Sequence, residues 1–192
     1  MTPALWQNGL AELLGTFFLT LAALLGGLPY VAGITLGVFV YAIGGLSGCN
    51  INPAVTVGMV AARRLSLASG VVYLVAQITG ALLARGFAPL IGEMPDEFHA
   101  GGGWAEFFGF AVLILTVIAV TDGYTPKAGS GIAIGAALVA GLVVSHGILN
   151  PAVALAMGEI TSGGIWATFA SALVFPPLYL ALAHQRADAK AA

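Results

Sequence analysis

The sequence predicts an all-α membrane protein: six transmembrane helices and two re-entrant half-helices, arranged as an inverted repeat. Composition is the first ground, since 59% of the 192 residues are apolar and only 7% are charged, where a soluble domain keeps about a quarter charged. The second is the length of the uncharged runs, several of which approach the ~20 residues that cross ~30 Å of hydrocarbon. The third is that two short patterns each occur twice, about half a chain apart.

In chain order, the uncharged runs place spans at 10–28, 31–46, 66–85, 104–121, 130–146 and 161–184. Residues 1–9 carry no Lys or Arg and the run after them contains Glu12, so the first span is expected to be retained rather than cleaved as a signal peptide. Two apolar stretches, 47–62 and 147–159, are too short to cross and are interrupted by Pro53 and Pro151, which reads as re-entrant. The residues after His184 read as a short, solvated end. Arg63 and Arg64 follow the second span, Lys127 the fourth, and Arg186 and Lys190 the sixth, all in segments on one face. Only Arg85 falls on the other, beside Glu93, Asp96 and Glu97. That asymmetry predicts a multi-pass protein of the cell inner membrane with both termini cytoplasmic.

Ala11-Glu12-Leu13-Leu14-Gly15 returns as Ala105-Glu106-Phe107-Phe108-Gly109, and Asn52-Pro53-Ala54-Val55 returns as Asn150-Pro151-Ala152-Val153, at offsets of 94 and 98 residues. A single channel domain over 1–192 is expected, with repeats of about 1–90 and 100–192. Three spans per copy is an odd number, so the second copy enters from the opposite face. Asn is a favoured N-cap and Pro suits the first helical position, so each Asn-Pro starts a short helix. Entering from opposite faces, the two N-termini meet near the bilayer centre and present partial positive charge and two amides. Such a constriction hydrogen-bonds the oxygen of a neutral solute and opposes cations and protons.

These features resemble the aquaporin, or major intrinsic protein, family: six spans, two half-helices, paired NPA motifs and a glutamate in spans one and four. The stretch Ser47 to Thr56 is similar to the family's first NPA region, with Asn50 where a His is usual. The resemblance implies that Asn52 and Asn150 line the pore, that Pro53, Ala54, Pro151 and Ala152 form the half-helix contact, and that four subunits assemble with one pore each. It also implies a supporting role for Glu12 and Glu106. An ionisable group within a span is costly, and these carboxylates would accept from backbone N–H groups of the re-entrant loops that short helices alone leave unpaired.

By the same resemblance, four positions above the Asn pair set selectivity. Val153 stands where an Arg usually follows the second NPA, Ala32 where water-selective members carry a bulky aromatic, and Gly147 at the third position. The fourth falls near Leu142, with Leu138 the alternative. Together they predict a filter without fixed charge and with room for larger neutral molecules. The aquaglyceroporin branch conducts glycerol and neutral metalloid hydroxides such as arsenite, and its bacterial arsenic-linked members also carry an aliphatic residue in place of the Arg.

Cys49, three residues before Asn52, reads either as bordering the inner half of the pore or as a buried, inert thiol. His146 either faces passing solute or is a satisfied interfacial histidine. Gly44, Gly45, Gly48, Gly80, Gly135 and Gly141 are expected to allow close helix approach. One cysteine and three scattered histidines form no metal motif, and no basic cluster exceeds Arg63-Arg64, so metal, cofactor and nucleic-acid partners are not expected. No nucleophile with a base partner and no phosphate loop indicates an enzyme. The competing class is a proton-coupled secondary transporter using Glu12 and Glu106, which would need a chain of titratable groups that the spans do not offer.

Overall fold

The computed structural model describes residues 4–95, 99–160 and 163–191, with side chains up to residue 183. The helices are α1 (Leu5–Gly26), α2 (Pro29–Ser47), α3 (Pro53–Ala61), α4 (Leu67–Ile91), α5 (Gly103–Thr121), α6 (Ser130–Ser145), α7 (Pro151–Met157) and α8 (Gly163–Ala191). Among the described residues there is no strand. Six helices are long and apolar enough to cross a membrane, and α3 and α7 are the two short ones.

Helix ends depart from the expected spans where polar groups cap or extend them. α1 begins at Leu5 rather than near residue 10, because Gln7 Oε1 accepts from the backbone N–H of Ala4 at 2.7 Å and satisfies a first-turn donor. α4 runs past Arg85 to Ile91 with Pro89 inside its last turn, where a missing N–H costs only one helical bond. Beyond His184 the chain is not an irregular tail: the backbone of α8 stays helical to Ala191. The side chains of Arg186 and Lys190, and residues Asp96 and Glu97, lie outside the described set.

The packing maps onto itself when the two halves are exchanged. α1 packs on α4 and α2 as α5 packs on α8 and α6. The half-helix α3 packs on α8 of the other half, and α7 on α4. The seam where α2 meets its counterpart α6 is lined with glycine: a Cβ on Gly37 would stand 2.7 Å from the Gly131 carbonyl oxygen, so the backbones touch directly. Gly80, Gly135 and Gly141 make similar close approaches, to the carbonyls of Leu13, Gly33 and Gly109. Gly44, Gly45 and Gly48 do not. A Cβ on Gly45 or Gly48 would meet nothing within 4 Å, and on Gly44 only Val40 of its own helix. Gly48 instead has φ +88° and ends α2 as a left-handed cap.

Candidate functional site

Both half-helices begin as their Asn-Pro dipeptides require. Asn52 is the N-cap of α3, its Oδ1 accepting from Ala54 N–H at 2.9 Å and Val55 N–H at 3.4 Å, with Pro53 in the first turn. Asn150 caps α7 likewise, accepting from Ala152 at 3.0 Å and Val153 at 3.4 Å. Each amide then reaches across the centre. Asn52 Nδ2 donates to the carbonyl of Leu149 at 2.9 Å, and Asn150 Nδ2 donates to the carbonyl of Ile51 at 3.0 Å. The two N-termini therefore abut, and since a carboxamide nitrogen carries two hydrogens, each Asn keeps a second donor beyond the one used in this exchange.

The residues that receive these bonds are strained. Ile51 has φ +38° and Leu149 φ +57°, a region that side-chain-bearing residues rarely occupy, β-branched ones least of all. Each is held from both ends. The Ile51 N–H donates to Glu12 Oε2 at 2.6 Å while its carbonyl takes Asn150. The Leu149 N–H donates to Glu106 Oε2 at 2.9 Å while its carbonyl takes Asn52. A continuous thread thus runs from the glutamate of one half, through a left-handed residue of that half's loop, to the capping Asn of the other.

Glu12 and Glu106 are both fully buried. Glu12 Oε1 also accepts from Ser47 Oγ at 2.6 Å and Asn50 N–H at 2.9 Å, and Oε2 from Gln77 Nε2 at 2.8 Å. Gln77 extends the network to Thr56 Oγ1 at 2.8 Å, which Asn50 Nδ2 also approaches, at 3.4 Å. Glu106 Oε1 accepts from Ile148 N–H at 2.7 Å and Gly101 N–H at 3.2 Å. Gln77 and Ser47 had escaped the sequence reading, although an amide within the apolar third span was a legible signal that a polar group nearby needed a partner.

Two chambers flank the Asn pair. The wide one, of about 490 Å³, is lined by Ala32, Leu142, Gly147 and Val153, together with Leu138, His146, His99 and Asn150. No Asp, Glu, Lys or Arg stands in its described wall. Ala32 lies on α2, Leu142 and Leu138 on α6, and Val153 in the first turn of α7, where it packs with Ile148, Ala154 and Ile165. Gly147 contributes backbone only, and for a separate reason: a Cβ there would collide with Glu106 Oε1 and the Gly101 N–H. The narrow chamber, of about 10 Å³, is lined by Cys49, Asn50, Asn52 and a set of aliphatic side chains. Cys49 is buried and belongs to that wall. Glu12 and Glu106 line neither chamber.

The loops sort by face. Arg64 donates through Nε and Nη2 to Asp122 at 2.7 and 3.0 Å, tying the loop after α3 to the one after α5 that carries Lys127. Pro95 and His99, in the connection from α4 to α5, line the wide chamber with Leu28 and Pro29 at the start of α2.

Residues 1–176 match the family profile described as major intrinsic protein. Probable aquaporin PIP2-4 of Arabidopsis thaliana is 38% identical over 109 residues, which cover 50% of this chain and 38% of that protein, so the match spans about two fifths of the plant relative's length. Aquaporin Z of Rhodopseudomonas palustris is 29% identical over 200 residues, covering 82% of this chain and 83% of the other. Among solved structures, the aquaglyceroporin from Plasmodium falciparum superposes with a TM-score of 0.67 over 92% of this chain and 94% of its own, at 18% identity, a likeness of fold alone.

Proposed function

The chain belongs to the major intrinsic protein family, and from that premise we propose that it is a passive transmembrane channel for small neutral solutes: water, glycerol and metalloid hydroxides such as arsenite. Members of this family are channels, not enzymes. The observation that carries the reading is the wide chamber, with no Asp, Glu, Lys or Arg in its described wall, ending on Asn150, whose partner Asn52 opens the narrow one. Two abutting helix N-termini make that junction positive and rich in donors, which suits the oxygen of a neutral solute and repels cations. In this reading Ala32, Leu142, Gly147 and Val153 form an open filter, while Pro53, Ala54, Pro151 and Ala152 hold the half-helices together. Glu12 and Glu106 brace the two loops. Their acceptor oxygens are taken up by loop and side-chain donors, an arrangement suited to support rather than to carrying protons along a path.

The excess of Lys and Arg in the loops on the face of Arg64 and Lys127 supports a proposed orientation with that face and both termini in the cytoplasm of a cell inner membrane and the wide chamber outward. We propose further that four subunits assemble with one pore each, a reading supported by family membership alone.

Proteoliposomes read by light scattering test the proposal. Osmotic and solute gradients should drive water, glycerol and arsenite flux faster than in protein-free vesicles, with no effect of an uncoupler. Accumulation of solute against its gradient under a proton gradient would exclude a channel. Val153→Arg adds bulk, charge and donors to the open filter, so glycerol flux should fall more than water flux; an unchanged ratio in folded protein would remove Val153 from the filter.

A further inference from the structure

The chamber that holds the four filter positions is much the roomier of the two. Its volume of about 490 Å³ contrasts with about 10 Å³ on the other side of the Asn pair, roughly the room a single water needs. Leu19 of α1 and Leu138 of α6 stand in the walls of both chambers, and so mark the junction. Beyond them the narrow chamber is closed in by Leu36 of α2, Leu113 and Val117 of α5, and Ile134 of α6. We infer that this aliphatic sleeve, rather than the filter above the Asn pair, is the step at which the channel discriminates among neutral solutes by size and by number of hydroxyls. The inference rests on the channel reading given above.

Two physical effects act together there. The six sleeve side chains come from four different helices that pack on one another, so widening at this level means displacing close-packed core rather than swinging a surface loop. In addition, the only polar side chains in the described wall are Cys49, Asn50 and Asn52. Asn50 Nδ2 is turned to Thr56 and one Asn52 N–H to Leu149. A water crossing the sleeve exchanges few hydrogen bonds, whereas a polyol gives up several and finds almost no replacements, the asymmetry by which an apolar pocket rejects a polar ligand. The wide chamber collects solutes without sorting them.

The test is the ratio of glycerol to water permeability in proteoliposomes, wild type against single variants. Leu113→Ala, which borders the narrow chamber alone, should raise the ratio about tenfold, the scale on which a few methylenes discriminate in an apolar site. Val117→Leu adds a methylene to the sleeve and should lower it. Val143→Ala, which enlarges only the wide chamber, should leave it unchanged. Should Leu113→Ala fail to fold, Leu113→Val and Val117→Leu decide in opposite directions. A ratio that responds to Val143→Ala but not to the sleeve variants overturns the inference while leaving a working channel. Wild-type vesicles that pass neither water nor glycerol faster than protein-free ones overturn the channel reading, and the inference with it.

Discussion

The two halves of the molecule solve one problem, holding a re-entrant loop inside a bilayer, with different chemistry. In the first half Glu12 accepts four hydrogen bonds, two from backbone N–H groups and two from the side chains of Ser47 and Gln77. In the second, Glu106 accepts three from the described residues, all from backbone, one of them from Gly101 in the connection that precedes α5. Ser145 repeats the turn of Ser47, accepting from Gly147 N–H at 3.0 Å as Ser47 accepts from Cys49. Its hydroxyl is directed at the Leu142 carbonyl, at 3.5 Å, instead of at the glutamate. Ser171, at the offset of 94 residues from Gln77, is fully buried and its Oγ has no partner among the described residues. One loop is therefore locked partly by side chains reaching in from α2 and α4, the other by main chain of its own and of Gly101, just before α5. Sequence symmetry at Glu12 and Glu106 does not extend to the groups that answer them.

If that contrast is real, the largest effect comes from removing the carboxylates. Glu12→Ala strands four buried donors and Glu106→Ala two, with the Gly101 N–H only part-buried, and each unpaired buried donor costs about 1–3 kcal/mol. Folded yield and thermal unfolding in detergent should be lost for Glu12→Ala and reduced for Glu106→Ala; the opposite order would contradict the comparison. Next in size is an exchange between equivalent loop positions, Cys49 and Gly147, which the 98-residue offset relates. Gly147→Cys drives a Cβ into Glu106 and Gly101 and should cost about 1–3 kcal/mol of overpacking. Cys49→Gly, at φ +55°, relieves a left-handed residue and should stay within about 1 kcal/mol. Equal melting temperatures for the pair would mean that Gly101 does not crowd the second loop. The smallest contrast is between Gln77→Leu and Ser171→Ala. The first removes bonds to Glu12 and Thr56 and should cost about 1–3 kcal/mol. The second deletes an unpartnered hydroxyl and should lie within about 0.5 kcal/mol of neutral, or stabilise. A destabilising Ser171→Ala would show that the second half has a side-chain lock after all.

The half-helices were legible in the sequence because capping is local: Asn before Pro settles which residue accepts from the first N–H groups, whatever surrounds it. The six spans were legible because hydrocarbon thickness sets a length that can be counted. Helix ends were less so, since the cap at Ala4 depends on one glutamine rotamer and the helix past Arg85 on where the bilayer stops. Glu12 and Glu106 announced themselves by their cost inside apolar spans, and it was the family resemblance that implied their place beside the loops, whose donors need partners. The identity of those donors did not. Ser47, Gln77 and Gly101 come from different elements, and only the packing of α1 on α4, and of α5 beside its preceding connection, brings them within bonding distance. Gly147 shows the same limit from another side. Its lack of a side chain reads as space for solute, and it is also space for a carboxylate that belongs to another helix. Periodicity, charge and capping act between neighbours in the chain and are written there. The width of a chamber and the partner of a buried oxygen depend on side chains that approach from several helices at once, and close packing of the folded chain alone sets those distances.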